Sequence, residues 1–138
     1  METALSEGKE NIRIIADFEI DRTFFITYNV MIFTDEKHTL KRAVDFAGDI
    51  FVVGEYSDGT ACENVATLTL GNPASKTEDL LVIDGNSENM TVTVVGTVIF
   101  VCSKGQADLY DNLTVTNNKK LGNERSAVEA HGLSYPDY

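Results

Sequence analysis

The chain has 138 residues, with 22 acidic against 11 basic side chains and a net charge of -11 at neutral pH. Length predicts one domain, large enough to bury a core without a disulfide or metal staple. The acidic balance argues against nucleic-acid binding and against docking on an anionic membrane, both of which draw on cationic contacts.

No apolar run is long enough for a transmembrane helix, and Met1–Gly8 lacks the apolar stretch of a secretory signal. Residues 1–10 read as an N-terminal arm. The first period-two segment follows, where Ile12, Ile14, Ala16, Phe18 and Ile20 alternate with charged residues as in a strand with one wet face. Beyond Asp21-Arg22, Phe24, Ile26, Tyr28, Val30 and Ile32 form one face of a second strand. Phe25, Met31 and Phe33 place apolar groups on its other face, which predicts burial on both sides or a subunit contact.

Short strands are then expected over 39–44, 50–56, 65–70 and 80–83, separated by turn residues such as Ser57-Asp58-Gly59 and Gly71-Asn72-Pro73. A longer strand is expected from Met90 to Val101, bent at Gly96, and another at Leu113–Thr116. Only Glu124–Ala130 reads as a helix, with Asn123 as its N-cap and Gly132 as its stop. The tail from Leu133 to Tyr138 is irregular. The expected fold is all-β: a small β-sandwich or β-barrel of short antiparallel strands, with one short C-terminal helix and an extended tail. The β body spans about 11–118 and the helix and tail 119–138.

The residues that could carry chemistry are sparse. Asp17, Glu19 and Asp21 share a strand face and read as a solvated row that blocks edge pairing. Asp84, Asn86 and Glu88 read as an ordinary turn, lacking the glycine and terminal glutamate of a calcium loop. His38 and His131 have no nucleophile elbow to serve, since neither Ser57 nor Ser103 sits in one. Cys62 and Cys102 with two isolated histidines do not make a zinc site. Spacing does not fix whether they are bonded, and their apolar neighbours favour reduced, buried thiols. Asn89 and Asn112 open glycosylation sequons. No catalytic, metal or cofactor residue is assigned.

The order of several segments carries a resemblance. Phe25–Ile32 leads to Thr34–Ala43, then to Phe46–Gly54, to Met90–Val101, and to the polar stretch Ser103–Val115. This order, over residues 25–118, resembles the bacteriophage capsid cement (decoration) proteins. The insertion Asn72–Glu78 is extra to that pattern, and Tyr110-Asp111-Asn112 stands where it has a Gly-Asp.

The resemblance implies a non-enzymatic virion protein on the outer capsid surface. It would bind the major capsid protein, often as a homotrimer, and stabilise the head without cofactor, nucleic acid or membrane. The interface candidates are Leu5 on the arm, Phe25, Met31 and Phe33 on the two-sided strand, and Tyr135 and Tyr138 in the tail. The alternatives are another phage structural component, such as a tail tube or head fibre, or a bacterial extracellular adhesive or carbohydrate-binding β-sandwich.

Overall fold

The computed structural model describes residues 1–92, 95–120, 123–124 and 128–130. After a helix α1 (Glu2–Ser6), the chain forms strands in triplets. The first triplet is β1 (Asn11–Arg13), β2 (Phe18–Ile20) and β3 (Phe24–Ile26). The second is β4 (Val30–Phe33), β5 (His38–Arg42) and β6 (Phe51–Val53). The third is β7 (Ala66–Leu70), β8 (Leu81–Asp84) and β9 (Ile99–Val101), with a 3-10 turn at Ser87–Asn89 before β9. The fourth is β10 (Gly105–Leu109), β11 (Leu113–Thr116) and β14 (Val128–Ala130), with a small hairpin of β12 (Lys119–Lys120) and β13 (Asn123–Glu124) before β14.

Pairing runs between triplets. The three large sheets have the orders β1-β4-β7-β10, β2-β5-β8-β11 and β3-β6-β9-β14, and every pair in them is parallel. Each triplet is thus one rung of a three-sided solenoid, and each side is a parallel sheet. The only antiparallel strand pair among the described residues is β12 with β13.

This corrects the expected antiparallel sandwich or barrel. Alternation and turn residues report where a strand runs and where it stops, and they are silent on its partner. A turn that bends the chain onto the next side of a solenoid uses the same Gly, Asn and Asp chemistry as one that reverses it. The two long N-terminal strands are divided in the same way. The first bends at 14–17 and the second at 27–29, so each supplies two sides.

Of the expected strand from Met90 to Val101, Ile99–Val101 forms β9, and residues 93–94 lie outside the described residues. The expected C-terminal helix is also corrected, since Asn123–Glu124 and Val128–Ala130 lie in strands. Gly132 and the tail lie outside the described residues.

Inward residues stack in register as apolar rows. Ile12 opposes Ile32, Ile32 opposes Leu70, and Leu70 opposes Leu109. Phe18, Leu40, Ile83 and Val115 form a row on the second side. On the third side, Phe24 and Phe51 stack with ring centroids 5.9 Å apart, and Ile99 extends their row. Ile32, Leu70, Leu40, Ile83, Phe51 and Ile99 are completely buried.

The ends of the stack differ. Helix α1 packs Met1, Ala4 and Leu5 against the core. Glu2 pairs with Arg22, and Tyr28 donates its hydroxyl to the Lys9 carbonyl at 2.7 Å, so both links join this segment to the first rung. At the other end, Leu109 is 42% exposed.

Candidate functional site

The corners of the solenoid hold most of its buried polar groups. After the first side, one residue of each successive rung bonds to the rung below. The Thr34 hydroxyl lies 3.1 Å from the Ile14 carbonyl of the rung below and 2.6 Å from the Glu36 carbonyl of its own corner, so its single proton is shared between them. Asn72 donates its side-chain amide to the Thr34 carbonyl at 3.1 Å, and Asn112 does the same to Asn72 at 2.7 Å. Stacked rungs leave corner carbonyls unpaired by the sheet ladders, and buried carbonyls need a donor. Asn and Thr supply it at these positions. The sequence signal was a polar residue just beyond each strand end, which reads locally as turn chemistry alone.

The second corner is organised by Arg42. Its register partner below is the core residue Ile20, and its own side chain is completely buried. Its Nε donates to the Gly85 carbonyl at 2.8 Å, and its Nη2 donates to the Gly96 carbonyl at 3.2 Å and to Asn118 Oδ1 at 3.0 Å. Nη1 donates to the Gly48 carbonyl, and Phe46 lies below the guanidinium at 5.6 Å. Burial lowers the Arg42 pKa, and the Asp49 charge opposes that shift. Asn86 closes the corner by donating to the Arg42 carbonyl at 2.8 Å. A rigid fork with several donors is what three separated carbonyls and an amide oxygen require.

The expected carboxylate row does not form one site. Asp17 lies in the first corner, accepts the Thr39 N–H at 2.9 Å and meets His38 Nδ1 at 2.9 Å. Those contacts hold its pKa below the ordinary value, the Thr39 N–H contributing most. Glu19 stands beside Lys41 in register, and Asp21 pairs with Arg22 at 3.0 Å. Asp84 caps a turn by accepting the Asn86 N–H at 2.7 Å. Among the described residues no group of three His, Cys, Asp or Glu could hold a metal ion. His131 lies outside the described residues.

Cys62 and Cys102 are free and buried. Burial, aided by Glu55, raises both thiol pKa values, that of Cys102 to about 12. The sequon at Asn112 is occupied structurally, because its amide nitrogen already donates to the Asn72 carbonyl inside the fold.

The interface candidates separate onto different surfaces. Leu5 packs inward on the core. Phe25 points outward from the third side, in register with Val52 and Phe100, and the three make an apolar row across adjacent rungs. Val52 is only 8% exposed between its two half-buried aromatic neighbours. Met31 and Phe33 are half-buried on the first side, in register with Asn11 and Arg13. The single two-sided strand read from sequence is therefore two strands on two sides, and Phe25 does not share a face with Met31 or Phe33. Tyr135 and Tyr138 lie outside the described residues.

No helix among the described residues is long and apolar enough to cross a membrane. No family model matches the chain, and no curated protein or solved structure matches it.

Proposed function

We propose that the chain is a structural protein of a bacteriophage virion that binds the outer surface of the head through its third side. The observation that carries this reading is Phe25, a half-buried aromatic side chain that faces outward from the third side. Val52 beside it is already covered within the chain, whereas Phe25 keeps part of its ring in water. A partner that covers what Phe25 still exposes gains about 25 cal/mol for each Å² removed from water.

The net charge of -11 suits a surface facing away from packaged DNA. The virion, the major capsid protein as partner and the trimer come from the sequence resemblance. The solenoid body differs from the sandwich or barrel that accompanied that expectation, so the resemblance supports the role and not the architecture. The role needs no catalytic group and no cofactor.

The test is mass spectrometry of density-purified virions of the phage that encodes the chain. The chain is expected among the head proteins, at a stoichiometry set by the capsid lattice. Phe25→Asp is expected to empty those sites while leaving the circular dichroism of the free protein unchanged. Absence from virions, or full occupancy by Phe25→Asp, overturns the proposal. Light scattering tests the oligomer: self-association should strengthen with salt, since at low ionic strength like charges act over about 30 Å. A strict monomer, both free and on the particle, overturns the trimer.

A further inference from the structure

The corner between β7 and β8 departs from its counterparts. After β4 the chain turns through 34–37, and after β10 through 110–112, yet after β7 it runs through 71–80. The short corners show that a rung needs no such length. Insertions in stacked repeats map to loops on one face, which is often where such proteins bind. This loop and the corner of the next rung enclose a cavity of about 360 Å³, lined among others by Asn72, Pro73, Lys76, Glu78, Tyr110 and Asp111.

The floor of the cavity is fixed. Asn72 donates its N–H to Asn112 Oδ1 at 3.0 Å, and Asn112 returns its amide to the Asn72 carbonyl at 2.7 Å. Asn112 also reaches the Ser75 carbonyl at 3.2 Å, and Asn72 Oδ1 accepts the Ala74 N–H at 3.0 Å. The Thr114 hydroxyl holds Asp79 at the far end of the loop.

The groups around this floor are uncommitted. Lys76, Glu78 and Asp111 belong to none of the ion pairs among the described residues, although opposite charges line the same cavity. Tyr110 is 40% exposed and enters no ring contact among the described residues. The cavity therefore offers a flat aromatic ring, two carboxylate acceptors and one ammonium donor, over a rigid polar base.

We propose that this cavity is a binding site for a neutral saccharide. A sugar ring has an apolar C–H face for Tyr110, and vicinal hydroxyls that donate to Asp111 and Glu78 and accept from Lys76. The two carboxylates and the net charge of -11 select against anionic sugars. The site stands apart from the capsid-docking reading, because it lies at the corner between the first and second sides and not on the third.

The test is an amide NMR titration of the full chain with the methyl glycosides of glucose, galactose, mannose and N-acetylglucosamine, and with N-acetylneuraminic acid as the anionic control. At least one neutral glycoside should shift the amides of Lys76, Thr77, Tyr110 and Asp111 saturably, with a dissociation constant on the order of 1 mM. Tyr110→Ala and Asp111→Asn should each weaken binding about tenfold or more, and Tyr110→Phe should keep it. Urea melts of the same variants should match the parent, since both side chains are exposed. The proposal is overturned by any of three results: no saturable shift with the four glycosides, undiminished binding by Tyr110→Ala, or preference for the anionic control.

Discussion

The side chain of Asn112 closes a two-bond ring with the backbone of Asn72, donating to its carbonyl at 2.7 Å and accepting its N–H at 3.0 Å. Both residues are buried, so neither bond exchanges with water when it breaks. Asn112→Ala strands a buried carbonyl and a buried N–H, and should cost about 1–3 kcal/mol. Asn112→Asp should cost more, because it sets an anion against the Asn72 carbonyl. Urea denaturation of the three proteins checks the order.

Arg42 satisfies the Gly48 and Gly85 carbonyls, which no other side chain is seen to meet among the described residues. Arg42→Met should destabilise by about 3 kcal/mol or more, with the stranded acceptors adding to the loss. Arg42→Lys should recover only part of this, because one ammonium cannot span the separated acceptors. Arg13→Met is the control. Its 3.3 Å pair with Asp35 is exposed on both partners, so the change should stay within about 0.5 kcal/mol.

Gly54 has φ +99° and lies so close to the third corner of the next rung that a Cβ there would stand 2.4 Å from the Lys104 carbonyl carbon. Gly59 has φ +87° with open space around it. Gly59→Ala should therefore cost only the backbone preference, about 1 kcal/mol. Gly54→Ala adds a backbone clash between rungs and should cost several-fold more. Thermal melts of the two variants separate the contributions.

Asp17 carries the pH dependence that can be read from the first corner. Its folded pKa lies below the ordinary 3.8, chiefly through the Thr39 N–H and then through His38. A depressed folded value means that the unfolded chain binds the proton more readily. The stabilisation is therefore complete above the unfolded pKa and is lost as pH falls through the folded one. The stability difference between the parent and Asp17→Asn should be constant at neutral pH and close under acid. A carboxylate titration by NMR should place Asp17 below 3.8. A midpoint at or above that value would contradict the assignment.

The buried thiols should be inert. The thiolate is the reactive form, and Cys102 holds its proton up to about 12. Ellman's reagent near pH 8 should therefore leave both cysteines unmodified in the folded protein and titrate both in urea. Fast reaction in the native state would show that the corner after β6 opens.

Strand positions were legible where alternation is clean and short. Leu113–Thr116 appears as expected, and 65–70 and 80–83 shift by one residue at their ends. Pairing was not legible, for a physical reason. Ile32 finds Ile12 on one side and Leu70 on the other, at unequal distances along the chain, because the corners differ in length. A solenoid with uneven rungs has no fixed period to detect. β10 was missed because its residues, Gly105 to Leu109, alternate weakly beside Asp108 and Gln106. The expected helix at 124–130 rested on local propensity and on Asn123 and Gly132 as caps, and strand pairing with β9 overrides it at Val128–Ala130. Of the interface candidates, Phe25 alone was placed on the outward row. Its partners Val52 and Phe100 could not be grouped with it before the register was known.

The unequal ends of the stack give the molecule a direction of opening. In a solenoid each rung is held by its neighbours, so loss of structure begins at an end and travels inward. Helix α1 covers the first rung, where Ile20 and Ile26 are fully buried, while Leu109 in the fourth rung stays exposed. Unzipping therefore starts from β10 and β11, and amide exchange should quicken from the first rung toward the fourth.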